Sequence, residues 1–187
     1  MLSKKSLSEA AQWFLKDLQR ILDSFSNDTG IQVVIINKEG ELINETYEVQ
    51  KTCKLIAGNE DGRIRCKDHF RTALSLAGPQ KKTIYTECYA GFASVWIPII
   101  IKGNLIGVII GCGGRYDKGE SRKKMEEKFS KLASDAGIMQ RDHFIKVTIE
   151  EIQIITKEDL EKRAKRLKEL FDILTKTAYT PLKEVFG

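Results

Sequence analysis

One stretch of the sequence, from Ile84 to Tyr116, decides the fold: IYTECYAGFASVWIPIIIKGNLIGVIIGCGGRY. It holds two apolar runs rich in β-branched and aromatic residues, Phe92 to Ile101 and Leu105 to Ile110, on either side of Lys102-Gly103-Asn104. This three-residue connection with glycine predicts a β-hairpin. Because apolar residues stand at consecutive positions, we expect strands that are covered on both faces over part of their length, and therefore central strands.

Each strand of this hairpin carries a cysteine at its outer end. Cys88 precedes the first strand and Cys112 follows the second. Because the outer ends of an antiparallel hairpin lie side by side, we expect the two thiols to approach each other at one rim of the sheet. This rim is the candidate site.

Length and composition describe an ordinary soluble globular protein. The 187 residues are enough for one domain with a buried core, and 42% of them are hydrophobic and 30% charged. The basic N-terminus lacks the apolar core of a signal peptide, and no apolar run is long enough to span a bilayer. The sequence therefore predicts a cytoplasmic protein that does not enter a membrane.

The net charge and the cysteines indicate which kinds of binding site the protein can carry. The net charge of +5 comes from short lysine and arginine clusters, which favour solvated helix faces over a nucleic-acid surface. Four cysteines in a cytoplasmic protein indicate reduced thiols or metal ligands rather than disulfides. Their spacings of 13, 22 and 24 residues contain no Cys-x-x-Cys.

The N-terminal third predicts a helix followed by a hairpin. Apolar residues recur at helical spacing over residues 6–25, behind a capping box formed by Ser6 and Glu9. Residues 31–37 and a short segment near 42–43 then predict two antiparallel strands.

Helices are predicted before the central hairpin. A short helix carries Cys53 and ends at Gly58, and residues 59–62 form a loop. A longer helix over residues 63–77 follows, and Gly78-Pro79 stops it.

The C-terminal part is also helical. We predict a helix over residues 120–136, leave residues 142–155 unassigned, and predict a last helix that opens at Thr156 and Asp159 and ends at Pro181. Its apolar residues alternate spacings of four and three, as in a coiled-coil seam: Leu160, Ala164, Leu167, Phe171, Leu174 and Ala178. Such a seam meets another helix, either the N-terminal helix of the same chain or a second copy in a homodimer.

Together these elements predict an α+β sandwich, an antiparallel sheet of about five strands with flanking helices and amphipathic N- and C-terminal helices.

The sequence resembles a known family, the PocR-type sensory domain. The resemblance covers about residues 16–178 and rests on motifs in a fixed order: 22–26 (LDSFS), 29–31 (TGI), 39–40 (EG), Cys53, Cys66, 85–92 (YTECYAGF), 97–99 (IPI), Gly103, 106–107 (IG), Gly111 and 154–160 (IITKEDL).

The resemblance implies a PAS-like fold that binds a small molecule, such as a short alcohol or diol, and passes the signal to a transcriptional or signal-transduction output. It implies no catalysis. We expect one sensory domain over residues 1–187, with an N-terminal helix at 6–25, a sensor core at 26–155 and a C-terminal helix at 156–180.

This chain departs from the family pattern at two positions. Tyr89 stands where many relatives have histidine, which weakens any ligand role carried over to that position. Cys112 stands where glutamine is common, and it supplies a fourth thiol.

The expected ligand-binding residues combine the thiols with aromatic side chains that could line an apolar pocket or be plain core. They are Cys53, Cys66, Tyr85, Cys88, Tyr89, Phe92, Trp96 and Cys112. An alternative is a metal or redox sensor in which Cys53, Cys66, Cys88 and Cys112 bind zinc or an iron–sulfur cluster.

A third hypothesis is a thiol enzyme with Cys66 or Cys88 as the nucleophile. We place Cys66 in the first turn of the longer helix, where a thiolate is favoured. His69 follows it by three residues and is either its partner or a surface side chain. The sequence offers no Cys–His–acid set, which argues against this hypothesis.

Overall fold

The computed structural model describes residues 7–47 and 50–187. Over this part the chain forms five strands and seven helices, so the predicted α+β class with a PAS-like antiparallel sheet is confirmed. The strands are β1 (Gln32–Asn37), β2 (Leu42–Glu45), β3 (Ile84–Glu87), β4 (Ala93–Ile101) and β5 (Asn104–Cys112). The helices are α1 (Glu9–Thr29), α2 (Lys51–Ala57), α3 (Glu60–Gln80), α4 (Arg122–Asp135), α5 (Arg141–Glu150), α6 (Lys157–Thr177) and α7 (Tyr179–Phe186).

The predicted hairpin is β4 and β5, and it lies inside the sheet. The strand order is β2-β1-β5-β4-β3, with antiparallel pairing throughout. The turn has two residues rather than the predicted three, because Ile101 pairs with Asn104. Lys102 and Gly103 both have positive φ, 48° and 81°, as the type I′ turn of a tight hairpin requires.

Proline in β4 is compatible with this internal position. A proline has no N–H to donate, so it is usually excluded from a strand that is paired on both sides. Pro98 pairs with Val108 of β5, but the pairing of β4 with β3 ends at Trp96. Pro98 therefore lies where one side of β4 is free of a partner strand.

Helices cover both faces of the sheet. On one face, alternate residues of the strands pack with α1, α6 and α7 in the largest core cluster. On the other face, Val34, Trp96 and Ile110 pack with Ala73 and Ala77 of α3. Strands that are buried on both faces explain the consecutive apolar residues of the hairpin.

The first helix begins and ends later than predicted. Ser8 caps it, with its Oγ accepting a hydrogen bond from the Ala11 N–H at 3.2 Å. Ser6 of the predicted capping box lies outside the described residues. The helix continues past residue 25 to Thr29, and Gly30 ends it with φ 68°.

The boundaries of α3 correct two predictions. Residues 60–62 are not part of a loop, because α3 begins at Glu60 and only Gly58 and Asn59 separate it from α2. Gly78-Pro79 does not stop the helix, which continues to Gln80 and is capped by Lys81 with φ 51°.

The unassigned segment before the last helix contains α5. Helix α4 starts at Arg122, two residues later than predicted, behind its N-cap Ser121. After α5, Ile154 forms an isolated bridge to Arg115.

The last predicted helix is two helices. Thr156 caps α6 as predicted, since its Oγ1 accepts from the Asp159 N–H at 3.0 Å. Pro181 does not end a helix but lies in the first turn of α7, where its missing N–H needs no partner.

The heptad-like seam of α6 packs within this chain. Leu160, Ala164, Leu167 and Phe171 are buried in the same core cluster as Phe14 and Leu18 of α1. This is the intramolecular alternative for the seam, so the seam gives no argument for a homodimer. The homodimer itself stays a prediction.

No helix in the described part of the chain is long and apolar enough to cross a membrane.

Candidate functional site

The four cysteines lie on four different elements around one end of the sheet. Cys53 is on α2, Cys66 on α3, Cys88 in the turn between β3 and β4, and Cys112 at the end of β5. The first three, with Tyr89, pack against one apolar cluster, and Cys112 packs against the cluster beneath α3. We call this region, completed by His69 and Ser94, the thiol rim.

Burial is the main cause of the raised pKa values of the four cysteines. Burial raises the pKa of all four thiols, and that of Cys112 to about 12. A negative charge on Cys88 or Cys66 further raises the pKa of Cys112, and charges on the other three raise that of Cys53. Near neutral pH the rim therefore carries protonated thiols.

Cys66 is not the predicted thiolate at a helix N-terminus. Because α3 begins at Glu60, Cys66 lies in the second turn, beyond the free N–H groups. Burial raises its pKa, and a hydrogen bond with Tyr89 opposes that rise only in part.

Tyr89 links the turn before β4 to the start of α3. Its hydroxyl donates to the Gly62 carbonyl at 3.1 Å and lies 3.8 Å from the Cys66 Sγ. A phenol has one hydrogen, so while that hydrogen is donated to Gly62 the neutral Cys66 thiol is the donor in the second contact, and a Cys66 thiolate would accept the phenol hydrogen instead. Burial raises the pKa of Tyr89, which stays neutral. The exposed Arg65 guanidinium lies 5.9 Å from the centroid of the Tyr89 ring.

His69 forms a polar chain with strand residues and does not pair with Cys66 as one hypothesis expected. The Trp96 Nε1–H donates to the His69 Nε2 at 3.2 Å, and the Ser94 Oγ lies 3.1 Å from the same nitrogen. An indole N–H can only donate, so Nε2 must be unprotonated. Burial lowers the pKa of His69 to about 4, which also favours the neutral ring.

Ser94 extends this chain to the thiols. Its side chain is fully buried, and its Oγ lies 3.5 Å from the Cys112 Sγ. Ser94 and Cys112 are register partners on β4 and β5. Trp96 follows Ser94 by two residues and therefore points to the same face.

The predicted aromatic residues separate into different environments. Tyr85 pairs with Val95 and shares its face, which is the α6 side of the sheet and the side opposite Ser94. Phe92 is 2% exposed and packs with Phe129 at a ring distance of 6.3 Å. The structure thus brings Tyr89 and Trp96 to the thiol rim, places Phe92 in the adjacent core and does not bring Tyr85 there.

The thiols are close enough to affect one another, but they do not form a metal site in this geometry. Among residues 7–47 and 50–187, no three His, Cys, Asp or Glu side chains converge closely enough to hold a metal ion. Tetrahedral zinc needs four ligand atoms at about 2.0–2.3 Å. The zinc or iron–sulfur alternative stays a prediction without a ready ligand set.

A cavity of about 240 Å³ lies elsewhere, at the junction of α1, α2 and α5. Gly30, Val147, residues 50–52 and residues 151–153 line it. None of the ligand-binding residues predicted from the sequence lines this cavity. We call it the junction cleft.

Sequence reasoning missed Ser94 and misjudged His69. The period-two alternation of β4 places Ser94 and Trp96 on one face, and this was a usable signal. The contact of His69 with them depends on the packing of α3 against the sheet, which no local pattern specifies.

Comparisons with known proteins agree with the resemblance in the sequence. A family model described as the sensory domain found in PocR matches residues 14–179. The regulatory protein PocR of Salmonella typhimurium is 28% identical over 96 residues, which are 51% of this chain and 31% of that protein. The chain thus spans about a third of the length of this curated relative.

Among solved structures, a weak match is an IclR homolog complexed with 4-hydroxybenzoate, from Microbacterium hydrocarbonoxydans. It is 12% identical and matches with a TM-score of 0.29 over 69% of this chain and 68% of its own. A TM-score this low does not establish a shared fold.

Because the family model matches most of the chain, the protein belongs to the family of PocR sensory domains, which have a ligand-sensing regulatory role.

Proposed function

We propose that this domain senses a small neutral molecule that carries a hydroxyl group and an apolar portion, such as a short alcohol or diol, and that the molecule binds at the thiol rim. A transcriptional or signal-transduction output receives the signal.

One observation supports this class of ligand, the absence of charge on the titratable groups of the rim. The raised pKa values of Cys66, Cys112 and Tyr89 and the lowered pKa of His69 keep all of them neutral near pH 7. A carboxylate or phosphate would find no buried cation here and would lose its hydration. A hydroxyl group both donates and accepts, so it matches the neutral hydrogen-bonding groups of the rim.

The same pKa values argue against the thiol enzyme. A catalytic cysteine needs a lowered pKa and a nearby base. Cys66 has a raised pKa, and the imidazole of His69 contacts Ser94 and Trp96.

Calorimetric titration with short alcohols, diols and carboxylates of the same length tests the proposal. We expect saturable binding of a hydroxyl compound and none of its carboxylate. Ser94→Ala should weaken binding about tenfold, since it removes a buried hydrogen-bonding partner. Ser75→Ala is the control, because the Ser75 hydroxyl donates to the carbonyl of Thr72 within its own helix, away from the rim.

Two results would overturn the proposal. One is binding of the carboxylates without the alcohols. The other is an unchanged affinity in Ser94→Ala.

The metal sensor stays the alternative, and the observation that favours it is the position of four free cysteines, from α2, α3, the β3–β4 turn and β5, around one end of the sheet. Elemental analysis and a visible spectrum of protein purified without oxygen test it. Stoichiometric zinc or iron that is lost in Cys112→Ser would establish this alternative.

A further inference from the structure

The junction cleft has features of a binding site that the thiol rim does not explain. It is a cavity of about 240 Å³, large enough for a compound of a few heavy atoms. Val147 and Ile152 give it an apolar wall, and Gln50 and Lys51 give it polar groups.

The side chain of Gln50 offers an acceptor that nothing in the described chain uses. Its Nε2 donates to the Gly30 carbonyl at 3.0 Å. Its Oε1 is buried and has no hydrogen-bond partner within residues 7–47 and 50–187. The orientation of the amide is fixed, because the flipped amide would place Oε1 against the Gly30 carbonyl oxygen. A buried acceptor of this kind calls for an N–H or O–H from a bound molecule.

Two exposed residues of the lining, Lys51 and Glu151, form an ion pair. The Lys51 Nζ lies 2.7 Å from the Glu151 Oε2, and an ammonium group has three hydrogens, so Lys51 can donate to a further acceptor. The charges of the pair cancel, which favours a neutral ligand. A primary carboxamide with a short alkyl group fits all three features, with its N–H on Gln50, its carbonyl on Lys51 and its alkyl group on Val147 and Ile152.

The cleft reaches the C-terminal end of α1 through Gly30 and is linked to α6 through Gln153. Gln153 lines it, and its Oε1 accepts from the Arg163 Nη1 of α6 at 3.1 Å. The same Arg163 nitrogen donates to the carbonyl of Thr29, the last residue of α1. Gly30 approaches Gln153 so closely that an added Cβ would lie 2.6 Å from its Oε1.

We propose that the junction cleft is a second ligand site, which takes a small neutral hydrogen-bond donor of the primary carboxamide class and acts on the α1–α6 junction through Gln153 and Arg163. This site shares no residue with the thiol rim.

Titration of the full chain with butyramide, followed by NMR, tests the proposal. We expect saturable shifts of the backbone amides of residues 50–52 and 151–153 and of the Arg163 side-chain N–H. N,N-dimethylbutyramide lacks the N–H and should not compete. Gln50→Met keeps the shape and removes the acceptor, and it should weaken binding about tenfold. Gln140→Met is the control, since Gln140 is an exposed residue that makes no capping bond.

Three results would overturn the proposal. The first is the absence of saturable shifts at the cleft, as expected if only water fills it. The second is equal affinity of the dimethyl amide or of Gln50→Met. The third is binding at the cleft that leaves the Arg163 signal unmoved, which would remove the action on the helices. The thiol rim is tested separately, by calorimetric titration with alcohols and the Ser94→Ala variant. Each of these three results therefore leaves that test unaffected.

Discussion

At the scale of single residues, His69 determines the charge of the thiol rim. Its Nε2 faces the Trp96 N–H, which cannot accept a proton or a hydrogen bond. Protonation of the ring would therefore place two donors against each other. The neutral ring accepts from Trp96 and leaves the buried Ser94 hydroxyl with a partner on each side.

This arrangement predicts a loss of stability in mild acid. The pKa of His69 is about 4 in the folded protein and about 6.5 in the unfolded chain. Between these values the unfolded state binds a proton that the folded state does not, so the free energy of unfolding falls as the pH falls from about 6.5 to about 4. The full shift corresponds to about 3 kcal/mol, and the partial exposure of His69 reduces the expected change to about 1–2 kcal/mol.

Urea unfolding at about pH 7 and about pH 5 measures this change. His69→Gln should show a smaller difference between the two pH values than the wild type. His143→Gln is the matched control, because His143 is exposed on α5. Equal pH dependence in the wild type and both variants would contradict the role given to His69.

At the scale of elements, the contact between α2 and α3 positions two of the thiols. An added Cβ at Gly62 would lie 2.2 Å from the Ile56 carbonyl oxygen. This close approach explains why a glycine occupies the first turn of α3. It fixes Cys53 on α2 relative to Cys66 on α3.

Gly62→Ala should destabilise the domain, although alanine in a helix is normally favoured by about 1 kcal/mol. The clash is with backbone, which cannot rotate away, and we expect a net loss of about 1–3 kcal/mol. Gly78→Ala is the comparison, because its nearest atom is the Leu105 Cδ2 at 2.6 Å, the tip of a flexible side chain. Thermal unfolding of both variants shows which substitution lowers the stability more. A Gly62→Ala variant as stable as the wild type would show that the helices can separate at no cost.

The elements also show how far the sequence predicts the fold. The hairpin could be predicted because its residues are apolar at consecutive positions and its turn contains glycine, both local signals. The start of α3 could not be predicted from local signals, because Glu60, Asp61 and Gly62 have the composition of a loop. In the fold, Gly62 packs closely against the Ile56 carbonyl of α2, a contact between helices that the local composition does not specify.

Part of the candidate site could likewise be predicted from local signals in the sequence. The hairpin brings Cys88 and Cys112 to one end of the sheet, as its register requires. The sequence predicts Tyr85 as an aromatic residue of the same pocket, but the alternation along β3 places it on the face of the sheet opposite Ser94. The role of His69 depends on how α3 lies across the sheet.

At the scale of the whole molecule, the terminal helices cover one face of the sheet. Residues of α1, α6 and α7 share a single core with the strands. Ser8 at the start of α1 donates through both its N–H and its hydroxyl to the carboxylate of Glu184 on α7. These contacts join the two ends of the described chain.

Leu167→Ala should therefore lower the free energy of unfolding by about 2–5 kcal/mol, because Leu167 is 1% exposed within this core. Ile173→Ala on the same helix is the control, and its side chain is 58% exposed, so we expect a change of less than about 0.5 kcal/mol. Denaturant unfolding compares the two, and sedimentation of the same samples tests the predicted homodimer. If Leu167→Ala dissociates a dimer without loss of stability, the seam joins two copies.

The two tryptophans of the chain allow a direct test of whether a small neutral ligand binds at the thiol rim. The Trp96 Nε1–H bonds to His69 inside the rim, whereas Trp13 is 54% exposed on α1. In an NMR titration with the alcohol and diol series, we expect a saturable shift of the Trp96 indole N–H and an unchanged Trp13 signal. Saturable binding seen at other residues while the Trp96 signal stays in place would contradict it.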